Sequence, residues 1–291
     1  MKERIKQYAK KLNIEYTGVA PVCRYDDLEK RLCHRREKFD INQFEEADIE
    51  KRVNPFITFP WAKSIVVCIF PYYTGEDEVA NISRYARIPD YHMIAKDKLQ
   101  QIADFIMLES NAKCQCFADT GVLHDRYLAY LAGLGFFGLN NCLINEKYGS
   151  YFFIGYIVTD FRLVPDKPQK KECLKCGNCV KNCPGCALDR EGGFNANRCV
   201  SYITQIKELT EEQIDILKGQ EMVYGCDRCQ EVCPHNANPL KTPIQEFYGK
   251  RQSKLEKNEL LAMSNKEFKQ KYGNFPFSWR GKAVILKNFD K

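Results

Sequence analysis

The sequence predicts an α/β layer over residues 1–165, followed by a compact cysteine-rich module. Three observations carry that prediction. Ser64-Ile-Val-Val-Cys-Ile-Phe70 is apolar without alternation, the mark of a strand buried on both faces. A helical pattern and a second short apolar stretch follow, giving the strand–helix–strand order of an α/β layer. Nine of the fifteen cysteines then gather between Cys173 and Cys233.

Taken in order, Ile5, Tyr8, Ala9 and Leu12 recur at helical spacing, so the chain opens with an amphipathic helix. A short strand is expected over residues 16–22. Residues 26–39 read as a charged helix, with Asp26 or Asp27 placed to cap it. After the buried strand, a helix over residues 91–110 turns Ile94, Leu99, Ile102 and Ile106 inward, with Asp90 as its cap. Residues 113–117 form the next strand. Ligands in α/β sheets bind beyond the carboxyl ends of strands, so Asp119-Thr-Gly-Val-Leu-His-Asp-Arg126 is where chemistry is expected. It runs into a helix ending at Gly133. From its position Asp119 is either a catalytic acid or the N-cap of that helix.

Gly133-Leu-Gly135-Phe-Phe-Gly138 matches G-x-G-x-x-G, but a dinucleotide fingerprint follows a strand and opens a helix. This one closes a helix, so its glycines read as C-cap residues. Asp90-Tyr-His92-Met-Ile-Ala95 approaches a cobalt-binding D-x-H-x-x-G motif but lacks the glycine. Residues 142–145 and 150–158 read as a hairpin-like pair, and residues 161–171, with Pro165 and Pro168, as a linker.

The module opens with Cys173-x2-Cys176-x2-Cys179-x3-Cys183-Pro184, the run of a bacterial-type ferredoxin. It closes with a shortened copy, Cys226-x2-Cys229-x3-Cys233-Pro234, whose missing cysteine Cys199 supplies. In such folds the cysteine before proline reaches across to the other cluster. Cys173, Cys176 and Cys179 therefore take one [4Fe-4S] cluster with Cys233. Cys183 joins Cys199, Cys226 and Cys229 on the second. Structural zinc explains neither the third cysteine at x2 nor the two Cys-Pro steps. A disulfide framework needs an oxidising compartment, and the N-terminus has no export signal. Cytoplasm is the expected location.

Hydrophobic content of 44% and charged content of 28% suit a globular chain, and no apolar run approaches the ~20 residues of a membrane span. Of Cys23, Cys33, Cys68, Cys114, Cys116, Cys142 and Cys186, most read as small buried hydrophobes. The net charge of +6 is concentrated at the end: residues 236–291 hold 12 Lys/Arg against 5 Asp/Glu. That suggests either a polyanionic partner or a solvated helical face.

Together these stretches make the chain similar to the epoxyqueuosine reductase family. The likeness runs through Arg84-Tyr-Ala, Asp90-Tyr-His92, residues 119–126 and Ala132-Gly-Leu-Gly-Phe-Phe-Gly138. It continues through Gly149-Ser-Tyr-Phe-Phe-Ile-Gly155, Arg198-Cys-Val-Ser-Tyr202 and Tyr224-Gly-Cys-Asp-Arg-Cys-Gln-Glu-Val-Cys-Pro-His-Asn236. The resemblance implies an α/β (α+β) cobalamin-binding core akin to reductive dehalogenases, fused to a two-cluster ferredoxin-like module (residues 166–240) and a basic helical extension (residues 241–291). Cobalamin would bind base-off between the first two. Asp119 matches the proton donor, and Asp119, Arg126, Leu143, Ile154, Ser201, Cys226 and Asp227 fall at positions lining the cofactor. The implied reaction removes the epoxide oxygen of epoxyqueuosine in the tRNA anticodon region. An external low-potential donor would supply electrons to a monomeric enzyme. Departures from the family pattern are Phe136 and Leu139 for Trp and Lys, Val122 for Pro, Ile206 for Glu, and His235 for a common Trp. Longer members continue past the equivalent of Lys291 into helical repeats. The competing readings are a related reductase with another substrate and a plain electron carrier, for which residues 1–165 are unnecessary.

Overall fold

The computed structural model describes residues 1–39, 41–75 and 79–290. At its centre lies a four-stranded sheet of β1 (Thr17–Ala20), β2 (Ser64–Pro71), β3 (Cys114–Ala118) and β6 (Phe152–Thr159), in the order β1-β2-β6-β3. Every pairing in it is antiparallel. β2 and β3 flank β6 on either side and so run parallel without touching. Helix α5 (Tyr91–Ser110) crosses between them, and the late strand β6 occupies the slot. The strand–helix–strand order is thus a split crossover in an antiparallel sheet.

All eight residues of β2 are buried. Val66, Cys68 and Phe70 face a layer formed by α1 (Lys2–Lys11) and α5, where Ile5, Ala9, Leu99, Ile102 and Ile106 meet them. Ile65, Val67 and Ile69 face the opposite layer, with Leu28 and Leu32 of α2 (Asp26–Lys38) and Val53 of α3 (Ile49–Val53). Phe59, just after α4 (Pro55–Thr58), and Tyr127 to Ala129 of α6 (Asp125–Leu131) complete that layer. A strand clad on both sides needs no polar alternation, and each buried aliphatic side chain contributes about 1.5–3 kcal/mol.

Asp90 caps α5 as expected, its Oδ1 accepting the His92 N–H at 3.0 Å. The expected cap of α2 is corrected: Tyr25 holds that position, and Asp26 and Asp27 lie in the first turn, facing the positive end of the helix dipole. α6 is capped by His124, whose Nδ1 accepts the Tyr127 N–H at 3.2 Å, so Asp119 is not its cap. Gly133 follows α6 with φ +72°, the helix-end role expected of it. The expected hairpin divides. β5 (Leu143–Ile144) pairs with β4 (Phe136–Phe137), and only an Asn145–Gly149 bridge precedes β6. β6 is apolar throughout, and burial on both faces takes it to the sheet centre. Residues 161–171 form an anchored strap without regular structure. Asp166 accepts from Lys2 Nζ at 2.6 Å and from the Val19 N–H at 2.9 Å.

Toward the C-terminus, Leu255, Leu260, Phe268, Tyr272, Phe275, Phe277 and Ile285 pack on Ile82, Ala86, Val223 and Tyr224 in one core. The apolar faces of the helices Lys257–Ala262, Asn265–Tyr272 and Lys282–Leu286 turn inward there, which leaves their charges outside.

Candidate active site

Cys173, Cys176, Cys179 and Cys233 line one small cavity. Two short helices, Asn178–Lys181 and Arg228–Glu231, carry the turns, and Gly177 enters the first at φ +76°. The other four cysteines also face one another: Cys199 and Cys226 each lie beside Cys183, and Cys229 lies beside Cys199 and Cys226. Backbone N–H groups point at sulfur, Lys175 to Cys173 at 3.4 Å and Ala187 to Cys183 at 3.3 Å. Burial pushes the Cys199 thiol up to about 11 and Cys226 up to about 12, so the charge of bound iron is what would keep them ionised. Two quartets of thiols with amide donors fit two [4Fe-4S] clusters.

Of the remaining cysteines only Cys68 is buried; Cys114, Cys116 and Cys142 are half-buried and Cys23, Cys33 and Cys186 exposed, which corrects the reading of most of the seven as buried hydrophobes. The exposed three, on surface turns and a helix exterior, have no core to enter. Cys142 also has a different setting. Its sulfur hydrogen-bonds that of Cys229. Asn140 fixes the contact, accepting the Cys142 N–H at 3.2 Å and donating to the Cys229 carbonyl at 3.5 Å.

Beside this module opens a cavity of about 420 Å³, walled by Tyr91, Asp119, residues 121–126, Phe152, Phe153 and Ile154, and on its far side by Arg35, Phe44 and Arg52. A second cavity of about 650 Å³ shares Arg35, His124, Arg126 and Phe194 with it. The joined cleft, in which many polar and charged groups converge beside Phe152, Phe153 and Ile154, has room for a large cofactor such as a corrin.

Asp119 ends β3 with φ +59°, in the left-handed region that turns its carboxylate toward the cavity. Its Oδ2 accepts from the Tyr91 hydroxyl at 2.7 Å and lies 3.5 Å from His92 Nε2. His92 Nδ1 is 2.6 Å from Asp90 Oδ1. The Asp119 and then the Asp90 hydrogen bonds push the imidazole up to about 9. Tyr91 is held flat against Phe153 at 3.7 Å between ring centres. The Asp119 side chain is 64% exposed, so its surroundings on this chain are an imidazole and a phenol rather than an apolar pocket. Asp125 lines the same cavity, and burial, with the charge of Asp119 adding, pushes its carboxyl up to about 8. Burial and the charges of Arg126 and Arg52 push His124 down, so it caps α6 as the neutral ring. Arg126 Nη1 donates to the Asn141 carbonyl, and Arg35 and Arg52 pair with Glu45.

Among the residues expected at the cofactor, Asp119, Arg126 and Ile154 stand in the cavity wall. Leu143 lies in the core beneath, and Cys226 in the second quartet. Asp227 is buried, accepting from Ser83 Oγ at 2.5 Å and the Arg84 N–H at 2.7 Å. The Ser201 carbonyl accepts from Gln205 Nε2 at 2.7 Å. From sequence no catalytic role fell to His92, Asp125 or Cys142. His92 stood out only as the histidine of an incomplete cobalt-binding motif at a helix start, and Asp125 sat unremarked inside the octapeptide of Asp119.

Residues 52–120 match the family described as epoxyqueuosine reductase QueG, and residues 172–236 match the 4Fe-4S double cluster binding domain. The epoxyqueuosine reductase of Bacillus subtilis is 34% identical over 99% of this chain and 77% of its own length. The chain belongs to the epoxyqueuosine reductase family. A crystal structure of epoxyqueuosine reductase with an epoxyqueuosine-modified tRNA-Tyr stem loop is similar at 34% identity and a TM-score of 0.89, covering 99% of this chain and 79% of that one. A Bacillus subtilis epoxyqueuosine reductase with its catalytic aspartate loop swung out of the active site aligns at 33% identity and a TM-score of 0.90, with the same coverage. As in that family, the fold is mixed α/β with a double-cluster module, and the chain is an oxidoreductase. Among the described residues no helix is long and apolar enough to cross a membrane.

Proposed function

We propose that this chain removes the epoxide oxygen of epoxyqueuosine in tRNA, leaving an alkene and water at the cost of two electrons and two protons. One observation carries the reading: in a chain of this family, an acid–imidazole pair faces a cofactor-sized cleft beside two cysteine quartets. Cys173, Cys176, Cys179 and Cys233 would hold one cluster and Cys183, Cys199, Cys226 and Cys229 the other, and these would supply electrons one at a time. Bound cobalamin supplies a low-potential centre that delivers electrons in pairs. Arg126 and Ile154 form its wall, with Leu143, Ser201, Cys226 and Asp227 as further contacts.

The protein's part is protons and exclusion of water. Asp119 donates to the opening oxygen. His92, held by Asp90, is protonated at neutral pH and restores the proton to Asp119 across their contact. Tyr91 orients the carboxylate. Residues 1–165 form the cofactor and substrate domain, 166–240 the cluster domain and 241–291 the extension. The enzyme acts as a cytoplasmic monomer fed by an external low-potential donor. The test is anaerobic incubation of reduced holoenzyme with an epoxyqueuosine-containing anticodon stem-loop. Mass spectrometry should show loss of one oxygen, and cobalamin should bind stoichiometrically. Iron–sulfur absorption with no corrin uptake would leave an electron carrier instead.

A further inference from the structure

At the mouth of the cavity stands an aromatic group that the chemistry above does not use. Phe44, a wall residue of the cavity, is 41% exposed, and Trp279 of the C-terminal segment is 54% exposed. Their rings meet edge to face at 5.4 Å, and Tyr202 closes on Phe44 at 5.1 Å. The Arg280 guanidinium lies 4.2 Å from the Trp279 ring centre and 4.9 Å from that of Phe44. Among the described residues no carboxylate pairs with Arg280, and its Nε has no hydrogen-bond partner. The group is rigidly mounted. Trp279 Nε1 donates to the Tyr224 hydroxyl at 2.9 Å, and that hydroxyl donates to Gln205 at 3.0 Å. Tyr224 is itself buried two residues before Cys226.

Two large aromatic rings left half in water, under a cation without an anion, suit a ligand that has both a flat face and a negative charge. A nucleotide in a single-stranded RNA loop has both. Unstacked bases are taken up on aromatic rings and guanidinium planes, and arginine grips phosphate. Because Phe44 also walls the cavity that holds Asp119, whatever stacks there neighbours the nucleotide that enters the cavity.

We propose that Phe44, Trp279 and Arg280 form a stacking platform for one unpaired base of the anticodon loop, adjacent in the strand to the base being reduced, with Arg280 on its phosphate. This rests on the reading of tRNA as substrate. The platform positions the substrate and holds no reacting atom.

The test is a double-mutant cycle with holoenzyme and a synthetic tRNA anticodon stem-loop, bearing an abasic site at each unpaired loop position in turn. Binding is read by filter retention. Trp279→Ala should weaken binding of the intact loop about 5- to 150-fold, the range of one lost base stack. At one abasic position the loss should match, and Trp279→Ala should add nothing further. Trp279→Phe should restore most of the affinity. Arg280→Gln should flatten the dependence of log affinity on log salt by about 0.7. Iron content and cobalamin uptake, measured on each variant, report that the fold is intact. Unchanged binding in Trp279→Ala, or effects that add at every abasic position, would overturn the platform while leaving tRNA as substrate. Failure of the unaltered enzyme to bind the stem-loop at all would overturn both.

Discussion

Asp119 was open to two readings from its position, helix cap or acid, and His124 takes the cap. What remains is a carboxylate in left-handed backbone, bonded to Tyr91 and facing His92. Asp119→Asn keeps the shape and the Tyr91 contact but removes the acid. Turnover should fall roughly 10²–10⁴-fold, with iron and cobalamin content unchanged. Single-turnover oxygen loss checks this, and full activity would end the assignment. His92 gives a pH signature. Asp119 and Asp90 raise it from 6.5 to about 9. Protonation therefore stabilises the folded state fully below pH 6.5, and that stability is lost as pH rises through about 9. Denaturation midpoints should decline over that window, and the decline should shrink in His92→Gln. Turnover should fall on the same alkaline side, since the unprotonated ring cannot refill Asp119. Asp119 was legible in sequence because a strand end announces a site. The pairing of His92 with Asp119 was not, because the partners come from two elements, β3 and the cap of α5, that only folding brings within 3.5 Å.

Among the elements, the buried strand, the long helix and the ferredoxin motif were legible because each carries its own period or spacing. The sheet order was not. β6 is as apolar as β2, and nothing local says that a strand from residues 152–159 slots between β2 and β3. The same fact dissolved the expected hairpin. The cluster module is the clearest case of an element read through its spacing, and its ligand sorting has a sharp consequence. Cys199 sits outside both motifs but faces Cys183, so it belongs to one quartet only. Cys199→Ala should cost one cluster and leave the other. Iron analysis should then show roughly eight atoms falling toward four on the two-cluster scheme. An unchanged iron count would remove Cys199 from the ligands.

At the scale of the molecule, the basic C-terminal segment left two readings open, and its packing sharpens the choice between them. Its apolar face is consumed by the core around Tyr224 and Tyr272, so its charges have only solvent or a partner to meet. Part of the excess is already neutralised within the segment. Lys254 pairs with Glu256 at 2.7 Å, and Lys257 and Lys271 pair with Asp290 and Glu259. Lys250, Lys266 and Lys269 are exposed and have no ion pair among the described residues, so they are available for phosphate contacts along the outer face of this segment, beyond Arg280 at the cavity mouth. Replacing all three with alanine removes charge without touching the core, and the melting temperature should hold. If tRNA lies along this face, its affinity should fall steeply with salt, because each neutralised phosphate releases counterions. The triple variant should bind more weakly and show a flatter plot of log affinity against log salt, by about 0.7 for each lysine that meets a phosphate in single-stranded RNA and about 0.9 in a duplex. A slope equal to that of the unaltered chain would make these lysines a solvated face and leave tRNA docking to the cavity mouth alone.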